Sequence, residues 1–389
     1  MGRAQVRGIV ILLVAAVAVG CSEVSQSHVG SGGQKGRALF PIETGANRWG
    51  FMDSRGSLVI APRFAHALPF SFGVAVIRDS QGNCGLVNEA GEFVVEPRYE
   101  VLMPPSEGLL RMAKGGNRKI FCYGHWGFIN TQGKIVIDPT FGIVSDFHEG
   151  LACALPFAGA PPGKPRMEYG YLDTSGRWAI EPRLVARGSL PAAPDFSEGL
   201  AAVWAEEGYG FVDHTGRFVI EPKFAWVSCF TEGLAPAKVT EPASGKSDLG
   251  YIDKTGDFAI RPQFAAGGQF SQGLAPVRKQ QEAGEESPTW GYIDKTGSWV
   301  IEPQFYAAGP FENGWALVQL AKSRILEPDE KGLVNREGKL LRGADYTFTD
   351  VFRDGLAPVS VKVGDGRRMG YVDERSRFVW DPRLSLIHI

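Results

Sequence analysis

Short apolar runs alternate with breaks marked by Gly, Asp and Pro along most of this chain, and no 3.6-residue apolar stripe is visible in it. The pattern predicts strands, not helices. Phe51-Met52-Asp53 reads as a short strand. Asp53-Ser54-Arg55-Gly56 reads as a turn: an Asp carboxylate accepts backbone N–H groups ahead of it, and Gly takes the positive φ that closes a hairpin. Leu58-Val59-Ile60 reads as the return strand, ended by Pro62, which has no N–H for the ladder. A third strand is predicted at elements such as Gly273-Leu274-Ala275-Pro276-Val277.

This unit recurs. Its opening glycine stands at Gly50, Gly85, Gly127, Gly170, Gly210, Gly250, Gly291, Gly332 and Gly370, at intervals of 35 to 43 residues. One clear copy runs from Trp290-Gly291-Tyr292-Ile293-Asp294 through Gly297 to Glu302-Pro303-Gln304-Phe305; another runs from Tyr209-Gly210-Phe211-Val212-Asp213 to Glu221-Pro222-Lys223-Phe224. A period of about forty residues is the mark of a repeat architecture. From about Phe40 to Pro382 the chain resembles the WG-repeat proteins, named for the Trp-Gly pair, over nine copies. It departs where the leading aromatic is Cys84, Leu249, Lys331 or Met369, and where the eighth copy lacks the Glu-Pro step near Leu341; those repeats are expected to pack less well. The resemblance implies a bacterial protein, often secreted or surface-exposed, and implies little about chemistry.

The expected fold is all-β: about nine three-stranded units over residues 37–383, arranged as a propeller-like toroid or, alternatively, an open β-solenoid. Leu58-Val59-Ile60 and Phe218-Val219-Ile220 are continuous apolar runs, which fit strands buried on both faces. Ala38 to Ile42 resembles the third strand, while the ninth hairpin, Met369 to Pro382, has none after it. The N-terminal strand is therefore expected to close the ring by completing the last unit. The final residues, 384–389, abandon the pattern and read as an adaptor-derived tail to be set aside.

The first residues change the picture. Arg3 and Arg7 precede an apolar stretch from Gly8 to Gly20, which reads as a signal peptide over 1–20, too short for a confident membrane span. Ala18-Val19-Gly20-Cys21 resembles a lipoprotein lipobox, with Ala18 where Leu or Val is usual; the alternative is an ordinary cleaved signal. The resemblance implies lipidation of Cys21 and membrane attachment through that lipid. The Ser/Gly-rich segment 21–36 reads as a flexible tether. Ser22 after Cys21, rather than Asp, points by the same resemblance to outer-membrane sorting in a double-membraned host. The remaining cysteines, Cys84, Cys122, Cys153 and Cys229, form no Cys-x-x-Cys motif and read as buried small hydrophobes. A net charge of −2 provides no field for nucleic acid.

Candidate chemistry is sparse. The acidic turn position is Asp53, Asn88, Asn130, Asp173, Asp213, Asp253, Asp294, Asn335 and Asp373, and a group needed in every copy reads as a turn former rather than a catalyst. The six histidines have no metalloprotease spacing, and no nucleophile elbow or phosphate loop is present. No cofactor or metal is expected. Trp49, Trp126 and Trp290 share one repeat position and read as core, whereas Trp204 and Trp226 fall outside the pattern and are candidate binding aromatics. Insertions at Ala158 to Met167, Thr240 to Ser247, Gln280 to Thr289 and Ala321 to Lys331 share one place in the repeat and so one rim. The expectation is a non-catalytic, membrane-anchored surface or periplasmic lipoprotein that binds a protein or glycan partner. The alternatives are a propeller-type enzyme such as a glycoside hydrolase, whose carboxylates would come from different repeats, and a structural envelope spacer.

Overall fold

A computed structural model describes residues 38–44, 48–116, 124–156, 168–185, 195–239, 248–280, 289–320 and 330–383. The expected signal peptide, Cys21, the tether and the tail lie outside these residues. Every strand pairing among them is antiparallel, and no helix occurs.

One unit shows the construction. His66–Ala67, Val74–Arg78, Cys84–Asn88 and Phe93–Tyr99 form a four-stranded sheet in that order, here called strands A to D of a blade. The three strands legible in the repeat are B, C and D. The fourth, A, is the continuation of the previous D strand. Leu58–Phe64 of the first blade leads through Ala65 into His66–Ala67 of the second. At two junctions the strand does not break: Ile135–Val144 and Phe218–Val227 each serve two blades. Counting those shared strands, the seven hydrogen-bonded sheets resolve into nine blades among the described residues.

The motif glycine has a steric cause. Trp49 faces Phe64 and Phe51 faces Ile60, so the D strand carries extra residues, Ala61-Pro62-Arg63, opposite Gly50. A Cβ on Gly50 would lie 2.4 Å from the Ile60 carbonyl oxygen and 2.8 Å from the Pro62 nitrogen. The same clash, at 2.2 to 2.6 Å from the carbonyl ten residues ahead, holds at Gly85, Gly127, Gly170, Gly210, Gly250 and Gly291. The Trp-Gly pair and the later Pro are thus two halves of one bulge. This corrects the expectation that Pro62 ends its strand, since Leu58–Phe64 runs through it.

Burial on both faces is confined to the middle of each blade. Val74 to Ile77 and Phe51 to Asp53 are buried throughout. The D strands alternate instead, with Leu58 43% exposed and Ile60 4%. As outer edges of the blades they have solvent on one side, so their continuous apolar runs do not report two buried faces.

Blades are joined by aromatic clasps. The aromatic of each Gly-aromatic pair meets the Phe of the next A–B turn: Phe51 with Phe70, Phe211 with Phe230 and Tyr292 with Phe311, at ring separations of 4.7, 4.7 and 4.8 Å. The last and first blades also meet through an aromatic pair, but there the partner is Phe40 on the strand Leu39–Glu43 and not a turn Phe. Tyr371 packs edge-on against Phe40 at 5.5 Å, and Phe40, Ile42 and Met52 share a core cluster with Leu356, Tyr371 and Trp380. The array is therefore a closed, propeller-like toroid. Its closure differs from the expected one: Leu39–Glu43 pairs with Trp49–Asp53 and is strand B of the first blade, not a strand lent to the last.

Candidate functional site

The recurring polar groups are engaged in structure. Asp53 Oδ1 accepts the N–H groups of Arg55 and Ser57, each at 2.9 Å, and Asp213, Asp253 and Asp294 accept the same pair in their own turns. Hydrogen bonds to Thr215, Thr255 and Thr296 hold these last three carboxyls below their usual range.

The A–B turns form a second belt. Each is a two-residue hairpin turn with both central residues at positive φ, as at Glu198 (54°) and Gly199 (87°) or Glu232 (52°) and Gly233 (87°). The left-handed Glu reaches sideways. Glu198 accepts Gly233 N–H at 3.0 Å, Glu232 accepts Gly273 N–H at 3.0 Å, and Glu107 accepts the N–H groups of Glu149 and Gly150. Ser106, Ser197 and Ser271 donate to Phe147, Phe230 and Phe311 carbonyls one blade on, at 2.7, 2.6 and 2.5 Å.

The exceptions to this regularity are more informative. In the fourth blade the serine is replaced by His148, whose Nε2 lies 3.5 Å from Asp195 Oδ2. Asp195 is 7% exposed, and its Oδ1 is buried with no hydrogen-bond partner. Burial pushes its carboxyl up to about 6, against His148 and a hydrogen bond to Ser145 that favour the anion; Asp146 raises it further and Arg111 lowers it. Asp146 is gripped at both oxygens by Arg111, at 2.6 and 2.8 Å. Two carboxylates from neighbouring blades thus stand at one seam, one of them poised to hold or release a proton near pH 6.

A cavity of about 830 Å³ opens on the inner wall of the later blades. Its floor is the small-residue strand Ala307 to Pro310; the half-buried indole of Trp290 lines it too, and so do Glu312, Asp350 and Arg353. Arg353 Nη2 lies 3.3 Å from Glu312 Oε2 and 3.5 Å from Asp350 Oδ2. Gln269, Pro310 and Val351, the residues just before the clasp Phe in their turns, also line this cavity. Asp146 and Asp195 occupy that same repeat position elsewhere in the ring.

Trp204 lies on strand B of the fifth blade, Ala201–Ala205, opposite Tyr209. Trp226 lies on the shared strand Phe218–Val227 and packs against the core cluster of Leu249, Tyr251 and Phe264. Neither lines the cavity. Trp290, read from the sequence as core, does. Residues 158–167 and 240–247 lie outside the described residues, and so do 281–288 and 321–329 of the other two insertions. They join strands B and C, whose free ends point away from the face carrying the A–B and C–D turns. Cys21 lies outside the described residues. Cys84 and Cys153 are buried free thiols, as expected, whereas Cys229 is disulfide-bonded, which corrects its reading as a simple hydrophobe. No group of three or more possible metal ligands occurs among the described residues.

A family model described as the WG containing repeat matches residues 49–80, 85–117, 126–155, 169–203, 209–241, 250–281 and 290–322. The second half of the eighth blade, from Lys331, and the whole ninth blade fall outside these matches although they fold in the same way. No curated protein sequence matches the chain significantly. Among solved structures, it is similar to the computationally designed Ika8 protein (TM-score 0.44, 11% identity, 79% of this chain and 95% of that one). It is also similar to BamB from Moraxella catarrhalis (0.40, 12%, 81% and 93%) and to a prolyl endopeptidase (0.42, 10%, 81% and 54%). The chain belongs to the WG-containing repeat family.

Proposed function

We propose that this member of the WG-containing repeat family is a non-catalytic, lipid-anchored envelope protein whose ring binds a protein or glycan partner. The observation that carries the reading is the contrast between motif and cavity. The repeated Asp, Glu and Ser groups are engaged in holding turns and blades together, while a ligand-sized space opens beside the strand Ala307 to Pro310. Cys21 would carry the lipid, and the segment 21–36, sixteen residues long, would let the ring stand roughly 20 Å from the bilayer on average. The disulfide at Cys229 supports an oxidising, exported setting.

The test has two parts. Mass spectrometry of the mature protein should find a diacylated or triacylated Cys21 as its N-terminus, and Cys21→Ser should leave the chain unlipidated and released from membranes. Cross-linking in intact cells should then trap a partner on the ring of the wild type. An unmodified Cys21 rejects the anchor; failure to trap or bind any partner rejects the binding role.

One observation favours a second reading, a propeller-type glycoside hydrolase: Asp146 and Asp195 come from neighbouring repeats, and Asp195 keeps its proton to about pH 6. Glycan turnover that is lost in Asp195→Asn would establish it.

A further inference from the structure

We infer that the cavity on the inner wall of blades six to nine is a binding site for a neutral oligosaccharide. This assignment rests on the binding reading above and narrows it to a ligand class.

Size comes first. About 830 Å³ falls in the usual range for small-ligand sites and is far too small for a folded domain. A protein partner would need roughly 800 Å² of its own surface covered. The ligand is therefore a small or extended molecule that enters the ring.

The lining then selects among such molecules. Ala307, Ala308 and Gly309 present no side chain larger than a methyl group to this wall. A bound peptide strand draws its specificity from pockets for alternate side chains, which a run of small residues is poorly suited to form. Trp290 is packed on one side against the cluster of Tyr292, Ile301 and Phe305, so its indole is held in place while it lines the cavity. A fixed indole offers a flat apolar face, which suits the C–H face of a pyranose ring. The far end of the same inner strand carries Glu312, with Arg353 lying between it and Asp350. Such a cluster presents donors and acceptors side by side, which matches adjacent hydroxyl groups.

Charge completes the selection. The carboxylates of Glu312 and Asp350 are balanced by the cations of Arg353 and Lys331, all lining the cavity. A strongly charged ligand gains no net attraction there. A polyhydroxylated, uncharged molecule with one apolar face fits wall, indole and polar cluster together.

The experiment titrates the full chain in detergent with chitotetraose, cellotetraose and maltotetraose by calorimetry. At least one should bind, with Trp290→Ala and Arg353→Ala each weakening it tenfold or more and Trp290→Phe retaining most of the affinity. Trp49→Ala alters the same motif position in a blade that does not line the cavity, and should leave binding unchanged. Thermal melts of each variant separate lost binding from lost folding. Absence of binding by all three sugars, or binding indifferent to Trp290→Ala, overturns the assignment. If the sugars fail while a cross-linked envelope protein is trapped by wild type and lost in Trp290→Ala, the saccharide class falls and the binding role stands. If neither occurs, both fall.

Discussion

The phenol of Tyr371 in the last blade donates a buried 2.9 Å hydrogen bond to the carbonyl of Pro41 in the first. Inside the array Tyr251 and Tyr292 likewise donate one blade on, to Gly268 and Gly309 at 2.8 and 2.9 Å, but there the acceptor stands at strand A, whereas Pro41 lies on strand B. A chain separation of 330 residues is thus bridged by a phenol-to-carbonyl bond, with strand B of the first blade supplying the acceptor. Tyr371→Phe keeps the ring edge-on against Phe40 and strands the Pro41 carbonyl. We expect a loss of about 1–3 kcal/mol, the cost of a buried unsatisfied group, read by urea unfolding. Hydrogen exchange should show the loss concentrated in blades one and nine. Unchanged stability would mean that the first and last blades do not meet in solution.

Gly250 tests the link between the Trp-Gly pair and its proline. A Cβ there would stand 2.5 Å from the Ile260 carbonyl oxygen and 2.7 Å from the Pro262 nitrogen, both backbone atoms that cannot swing aside. Gly250→Ala should cost about 1–3 kcal/mol, as overpacking does, or more if the bulge cannot shift. Gly314, whose added Cβ would meet nothing but which sits at φ 83°, is the comparison. There Gly→Ala should cost only the left-handed backbone, about 1–2 kcal/mol. Thermal melts of both variants should rank Gly250→Ala as the less stable.

Glu232 separates backbone strain from inter-blade bonding. It holds a left-handed conformation, φ 52°, while its carboxylate accepts Gly273 N–H and lies 3.2 Å from Lys295 Nζ. Glu232→Ala removes the bonds and keeps the strain, so about 1 kcal/mol should be lost. Glu232→Gly removes the bonds and relieves the strain, so it should unfold close to wild type. Equal losses in denaturant melts would show that the left-handed backbone stores no strain, and an unchanged Glu232→Ala would show that the belt carries no inter-blade stabilisation.

Asp195 should give the molecule an inverted pH response at one seam. Its carboxyl, pushed up to about 6 by burial, binds a proton more tightly folded than unfolded, where the ordinary value is 3.8. Stability from this group therefore grows as pH falls from about 6 toward 4 and is constant below. Asp213, Asp253 and Asp294 act oppositely: held below the usual range, they stabilise above it and lose that contribution on acidification. Asp195→Asn removes only the first effect. Near pH 7.5 the variant should be more stable than wild type, and the gap should close by pH 4, measured by urea unfolding at both. A gap that does not vary with pH would rule out the raised value.

Much of the fold was legible because its determinants are local. Asp53 and Gly56 form a turn from groups within four residues of one another, and the period of those turns counts the blades. What misled was equally physical. Leu58 and Val59 read as buried because they are apolar, yet an outer strand leaves Leu58 43% exposed. Pro62 read as a stop because it lacks an N–H, yet the bulge opposite Gly50 lets the strand pass through it. Cys229 carried no spacing signal for its disulfide. The one available signal for Asp146 and Asp195 was their position before the clasp residues Phe147 and Phe196, where other repeats carry Pro, Cys, Gln or Val.

The all-β class, the repeat unit and the count of nine units follow from hairpin chemistry and period, which are properties of neighbouring residues. Tertiary structure alone decided that the D strand of one blade supplies strand A of the next and that Tyr371 meets Pro41 across the whole chain. It also decided that, of three tryptophans at one motif position, Trp126 is buried at 7% exposure while Trp290 lines a cavity. Those outcomes depend on what the neighbouring blades place opposite each residue. Identical motifs therefore acquire different surroundings, and the candidate site lies where the surroundings differ.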